Sequence, residues 1–275
     1  MPEGPELKLS CDIISPLLLN KYIINAFPSV NSRFSKNPID KLYEFCKNLP
    51  LKLNKIDVKG KFMYWTFDNN WRMFCTYGMT GQWSEIPSKH TAFTIQYCDS
   101  NNSDINSKFL YFNDPRHFGT IKFSNSSIEL KNKLQSLGWC PLSETLDSKW
   151  DFLKKKIKKN KPIGELLMDQ SIFSGVGNYI RAEALYRTNL NPWNTANALS
   201  DEIIKLLCKN IVDIMEESYR LQGASFLTYK NSDNQKGKYS NFFRVYGREF
   251  DDLQNQIVKE KMGTRTIHWC PALQK

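Results

Sequence analysis

The run Lys61-Phe62-Met63-Tyr64-Trp65-Thr66-Phe67, then Asp68-Asn69-Asn70, then Trp71-Arg72-Met73-Phe74-Cys75, decides how the first half of this chain folds. Aromatic-rich runs on both sides of a short polar break predict two antiparallel strands joined by a turn. Ala92 to Tyr97 and Phe109 to Asn113 read as further strands, and the polar stretch 99–107 between them has the composition of a mobile loop. Short strands at such spacing over 22–123 indicate a sandwich or barrel. Upstream, Pro5 is placed to open a helix with Glu6 in its first turn and Leu9, Ile13, Ile14, Leu17 and Leu18 as its apolar positions.

Downstream the pattern changes. Residues 125–148, with Gly138, Pro141 and many polar side chains, read as a linker into a helical part. The basic run Lys154 to Lys161 precedes a short helix over Pro162 to Gln170, the sequence Ser174-Gly175-Val176-Gly177-Asn178, and a second helix over Tyr179 to Tyr186. Gly175 and Gly177 would let a phosphate approach the backbone, and Asn178 stands where a helix start offers N–H groups and a positive dipole end. The alternative is an ordinary helix–helix corner. Ser200-Asp201-Glu202 starts an amphipathic helix through Ile203, Ile204, Leu207, Ile211, Ile214 and Met215. Residues 225–241 read as a mobile loop, and the tail suggests a β-hairpin around Phe243 to Tyr246 and Thr266 to Trp269. The expected division is therefore a β-sandwich domain over 1–124, the linker over 125–148, a helical domain over 149–224, the loop, and a finger hairpin over 242–275.

Composition narrows the partners. A length of 275 residues with 41% hydrophobic residues is enough for two cores, and a net charge of +10 favours a polyanion, nucleic acid or an acidic membrane surface. Aromatics make up 13%, which leaves some to stack on bases as well as fill cores. No apolar run approaches the roughly 18–20 residues of a membrane helix, and no signal segment opens the chain, so a soluble intracellular protein is expected. Seven scattered cysteines contain no C-x-x-C pair and read as reduced thiols.

The chemistry concentrates in Met1-Pro2-Glu3-Gly4-Pro5-Glu6. With Met1 removed, Pro2 presents a secondary amine beside one carboxylate and four residues before another. An α-amine has a pKa of about 7.7–8.0, far below that of lysine, and is therefore a better nucleophile near neutrality. A secondary amine condensed with an aldehyde-level carbon gives an iminium that is cationic without a proton, an electron sink for elimination.

With these residues in view, the chain resembles the formamidopyrimidine-DNA glycosylase/endonuclease VIII family, in its endonuclease VIII-like branch. The resemblance runs through Pro2-Glu3-Gly4-Pro5-Glu6, Gly60-Lys61, Tyr77 to Gly81, Asp114-Pro115-Arg116-His117-Phe118-Gly119, Leu167 to Tyr179 and Arg265-Thr266-Ile267. It implies an α+β fold: an N-terminal antiparallel β-sandwich with flanking helices, and a C-terminal helix–two-turn–helix domain with a finger hairpin. It also implies a bifunctional glycosylase and abasic-site lyase of base excision repair, acting on oxidised bases, chiefly pyrimidines, with β,δ-elimination. A damage-binding relative without catalysis is the alternative.

By that resemblance Pro2 is the nucleophile, Glu3 the acid/base, Glu6 a supporting carboxylate, and Lys61 a phosphate contact and proton donor. Arg265 would clamp phosphates, and Asn178, Lys159, Lys161 and His90 would touch the backbone. Met79, Arg116 and Phe118 would fill the void left by a flipped nucleotide, with Arg116 also contacting DNA. Core packing is the competing reading for Met79 and Phe118. The expected partner is double-stranded DNA with oxidised bases or abasic sites, or single-stranded DNA, bound by a monomer without cofactor. Nucleus or the site of replication is expected if the source is eukaryotic or viral. Many relatives carry four zinc-binding cysteines in the tail, but only Cys270 stands here. The tail therefore reads as a zincless finger, with no metal and a hairpin held by packing alone.

Overall fold

The computed structural model describes residues 2–100, 106–224 and 237–275, which form two compact units. The first holds Pro2 and Glu6–Leu134; the second holds Glu3–Pro5, Gln135–Ala224 and Lys238–Lys275. In chain order the first half carries α1 (Gly4–Leu18), β1 (Tyr22–Pro28), α2 (Arg33–Lys36), α3 (Leu42–Lys47), β2 (Leu51–Lys59), β3 (Phe62–Phe67) and β4 (Arg72–Thr76). It continues with β5 (Gln82–Ser84), β6 (Thr91–Cys98), β7 (Lys108–Asn113) and β8 (Thr120–Ser124).

The strands run β5-β7-β6-β1-β2-β3-β4-β8, antiparallel at every pairing. The sheet is continuous but nearly divided, because β1 and β2 pair only at Tyr22–Lys52 and Ile23–Leu51. Its two halves pack inner face to inner face. Trp65 of β3 meets Trp83 of β5 with ring centroids 5.1 Å apart, and Phe123 of β8 meets Phe93 of β6 at 6.1 Å. Each such fully buried aromatic contributes roughly 1.5–3 kcal/mol over exposure, so this seam organises the sandwich. The predicted hairpin forms as β3 and β4, with Met63 opposite Cys75 and Thr66 opposite Arg72.

The expected linker is not structureless. Residues 125–148 contain α4 (Ser127–Ser136) and the start of α5 (Leu146–Ile157). Glu129 near the start of α4 accepts Ser124 Oγ at 2.6 Å and pairs with Lys122, which ties α4 back to β8. The tie pairs charged side chains, and α4 buries none of its residues, so its apolar pattern is weak.

The second unit contains α5, α6 (Ile163–Leu166), α7 (Asn178–Arg187) and α8 (Asp201–Arg220), with β9 (Val258–Met262) and β10 (Arg265–Trp269) after them. Ser200 caps α8 by accepting Ile203 N–H, and Ile204, Leu207, Ile211, Ile214 and Met215 are buried along one stripe, while Ile203, expected on it, is exposed. The expected loop 225–241 lies largely outside the described residues; Tyr239–Phe242 is a short 3-10 turn.

The tail differs from expectation in two ways. The hairpin pairs β9 with β10, from Arg265 opposite Met262 to Trp269 opposite Val258, while Phe243 to Tyr246 is not a strand. The N–H groups of Arg244, Val245 and Tyr246 donate instead to the buried Glu183 carboxylate on α7, the Tyr246 bond being 2.8 Å. Burial pushes the Glu183 carboxyl above its ordinary range despite those donors.

Nor is the tail held by packing alone. Asp251, fully buried, accepts Leu253 N–H at 2.9 Å, Asn255 N–H at 2.8 Å, Asn255 Nδ2 at 3.0 Å and the Tyr186 hydroxyl at 3.1 Å. Cys270 Sγ stands 3.6 Å from the same carboxylate. Burial opposes charge on Asp251, yet these hydrogen bonds outweigh it and hold the carboxyl below its usual range. One thiol and one carboxylate bonded to each other do not make a tetrahedral zinc donor set, and no group of three metal-ligating side chains occurs among the described residues.

Candidate active site

The second unit builds its part of the site on the start of α7. Helix starts leave backbone N–H groups without partners, and Gly177 at the cap has no side chain to offer them. The Glu3 carboxylate takes that place, accepting Tyr179 N–H at 3.0 Å and Ile180 N–H at 3.4 Å. The positive end of the helix favours a negative group there. Gly177 is required by contact: a Cβ built on it would lie 2.2 Å from Glu3 Cδ. Gly4 N–H donates to the Gly175 carbonyl at 2.9 Å, which seats the Glu3-Gly4 segment against the same turn. The N–H groups of this helix start were expected to be open, but those of Tyr179 and Ile180 hold Glu3.

Asn178 and Arg265 are brought close through the backbone of β10. Asn178 Nδ2 donates to the Thr266 carbonyl at 2.9 Å, one residue beyond Arg265. The buried Arg181 guanidinium donates to the same carbonyl at 3.2 Å, to Gly164 O at 3.2 Å and to Asn178 Oδ1. Burial lowers Arg181 to about 10, so it stays a cation at neutral pH. Sequence reasoning missed Arg181, and a charged residue standing between Ile180 and Ala182 was the signal available.

The lysines do not join this group. Lys161 pairs with Glu165 at 3.7 Å, and the Lys159 carbonyl accepts Asn197 N–H at 3.2 Å. Elsewhere in the basic run, Lys154 and Lys158 both pair with Asp201.

In the first unit Pro2 is buried, Glu6 is 2% exposed, and Lys61 stands in the tight Gly60-Lys61 turn between β2 and β3 rather than within a strand. Met79 is half-buried on the turn after β4. Arg116 and Phe118 are exposed on the loop after β7, with the guanidinium 5.3 Å from the Phe118 ring centre. Phe118, 53% exposed, is not a core residue. His90 is half-buried, and its carbonyl accepts Asp114 N–H at 2.9 Å.

The Glu3 carboxylate thus sits on the start of α7 one residue from Pro2, and β10 is joined to the same helix through Asn178 and Arg181. The formamidopyrimidine-DNA glycosylase N-terminal domain matches residues 1–121, and the formamidopyrimidine-DNA glycosylase H2TH domain matches 137–230. The chain belongs to the formamidopyrimidine-DNA glycosylase/endonuclease VIII family, whose fold is the N-terminal β-sandwich domain and C-terminal H2TH domain seen here. It is a DNA glycosylase and abasic-site lyase of the type that deals with oxidised bases in DNA repair.

Among its relatives, the formamidopyrimidine-DNA glycosylase of Mycoplasma mobile is 28% identical over 283 aligned positions, covering 100% of this chain and 99% of that one. The Rickettsia felis protein of the same name is 29% identical, covering 100% and 98%. A Lactococcus lactis formamidopyrimidine-DNA glycosylase variant bound to a Fapy-dG-containing DNA is 25% identical with a TM-score of 0.85, each chain covered completely. No helix among the described residues is long and apolar enough to cross a membrane.

Proposed function

We propose that this protein excises oxidised bases, chiefly pyrimidines, through a Schiff base on Pro2 and then cleaves the strand by β,δ-elimination. The single observation that carries this reading is the clamped Glu3 carboxylate, fixed by two α7 N–H groups one residue from Pro2. A general acid/base contributes only if its position is fixed, and this one is preorganised before substrate arrives.

With Met1 removed, the Pro2 nitrogen lone pair attacks C1′ and the C1′–base bond breaks. The base leaves with the electron pair of that bond and takes a proton from water; Glu3 passes the proton lost from the Pro2 nitrogen to the ring oxygen O4′, whose bond to C1′ breaks to leave an iminium between Pro2 and C1′. The iminium acidifies the C2′ proton; its loss expels the 3′ phosphate, and a second elimination expels the 5′ phosphate. Lys61 serves as phosphate contact and proton donor, with Glu6 as a supporting carboxylate. Arg265 and Asn178 grip the backbone, aided by Lys159, Lys161 and His90, while Met79, Arg116 and Phe118 occupy the emptied stack.

Borohydride trapping on abasic DNA tests the nucleophile. Full-length protein is expected to be captured covalently, and the same protein with its N-terminus blocked is not. Undiminished capture with a blocked terminus would move the nucleophile elsewhere, to Lys61 first.

A further inference from the structure

The loops that carry Met79 and Arg116-Phe118 are joined by a buried polar hinge-pin that the reaction scheme does not use. Asp114, 2% exposed, closes β7 with both carboxylate oxygens committed. Oδ1 accepts the Thr80 hydroxyl at 2.7 Å, and Oδ2 accepts Gly119 N–H at 2.7 Å. Thr80 Oγ1 in turn accepts Arg116 N–H at 3.1 Å. One hydroxyl therefore links the residue after Met79 to the backbone of Arg116, and the carboxylate closes the loop on both sides of Phe118.

Two further contacts brace the same pair of loops. Arg33 donates to the His117 carbonyl at 2.7 Å and to the Gly119 carbonyl. Gly78 sits at φ +57°, and a Cβ there would lie 2.5 Å from the Phe118 carbonyl carbon, so only glycine lets the Met79 turn lie against Phe118. Three side chains that project from two separate loops are thus mounted on one block.

We propose that Asp114 and Thr80 are positioning residues that make Met79, Arg116 and Phe118 act as a single wedge during nucleotide flipping. This rests on the void-filling reading of those three residues. A wedge pays for unstacking only if it does not yield, and a fully satisfied buried carboxylate is a stiff way to fix it. Thr80 touches no reacting atom in this scheme; its effect passes through Met79 and Arg116.

The test compares Thr80→Val and Asp114→Asn with Met79→Ala on two substrates: a duplex holding an oxidised base, and the same duplex with a preformed abasic site. Thr80→Val is expected to slow base excision about tenfold, the size of a lost hydrogen bond to a charged group. Nicking of the abasic site, where no base can return to the stack, falls less than about twofold. Thr80→Val combined with Met79→Ala is expected to cost no more than Met79→Ala alone, because both remove one device. Equal loss of both reactions in Thr80→Val would reduce the pair to general structural support, and so would full additivity with Met79→Ala. If Met79→Ala itself spares excision, the void-filling reading fails first. A melting curve for each variant identifies any that does not fold, in which case Asp114→Asn decides in place of Thr80→Val.

Discussion

The Glu3 carboxylate accepts the backbone N–H of Tyr179 at 3.0 Å across 176 positions of sequence. The bond makes an N-terminal side chain the cap of an internal helix. Cap and proposed acid/base are therefore the same atoms, and changes on the α7 side of the bond should be felt in chemistry.

Gly177→Ala tests this without replacing any residue of the reaction scheme. Gly177 has φ −132°, open to any residue, so the cost is only the added methyl meeting Glu3. Displacement of the carboxylate by about an ångström is expected to slow base excision about a hundredfold while the protein still folds. Single-turnover excision beside a melting curve measures both; unchanged excision would show that Glu3 need not sit where it is found.

Glu3→Gln keeps the shape of the side chain and one of its acceptor oxygens. Base excision is expected to fall at least about a hundredfold, with a much smaller loss in nicking a preformed abasic site, whose sugar opens to the aldehyde in water without Glu3. Equal losses in the two assays would reject the acid/base role.

Arg265→Ala is expected to weaken binding to lesion-bearing and intact duplexes alike. The slope of log affinity against log salt should decrease by about one counterion. Preference among lesions should not move. Titrations at two salt concentrations read both quantities, and an unchanged slope would remove the phosphate-clamp reading.

Asp251→Asn probes the finger. The native carboxyl is held below its ordinary range by Asn255, Tyr186 and Leu253, so its stabilisation is present above the unfolded value and is lost as pH falls through the native one. At pH 7 the variant is expected to melt about 5 °C lower, and the gap should narrow below about pH 4. A chelator should change neither melting curve, and Cys270→Ser should keep full activity, since a hydroxyl can donate where the thiol does. Chelator-sensitive melting would mean that a metal shares the hub.

Much of this was legible in the sequence because it is local. The β3–β4 hairpin and the α8 stripe each declare themselves within a dozen residues. What escaped depends on partners far apart in the chain. The glycine turn before Asn178 carries local marks of a phosphate cradle, and only the fold reveals that Glu3 takes the Tyr179 and Ile180 N–H groups beside it. Phe243 to Tyr246 alternates like a strand, but three of its N–H groups are claimed by Glu183, so no strand partner is needed. Asp251 and Asp252 look alike in a polar run, yet one is fully buried and the other exposed. Asp114 was read only as part of a motif, and its link to Thr80 depends on two loops meeting.

The Asp251 hub has a consequence for where such an enzyme can work. Fingers gathered by thiolates lose their ion and their shape when those sulfurs are oxidised, under the conditions that fill DNA with oxidised bases. A carboxylate offers an oxidant nothing to take. The one sulfur beside it, Cys270, is sealed from solvent. The turn that leads into the Arg265 hairpin is therefore gathered by hydrogen bonds to a carboxylate, which an oxidant that attacks thiolates leaves in place.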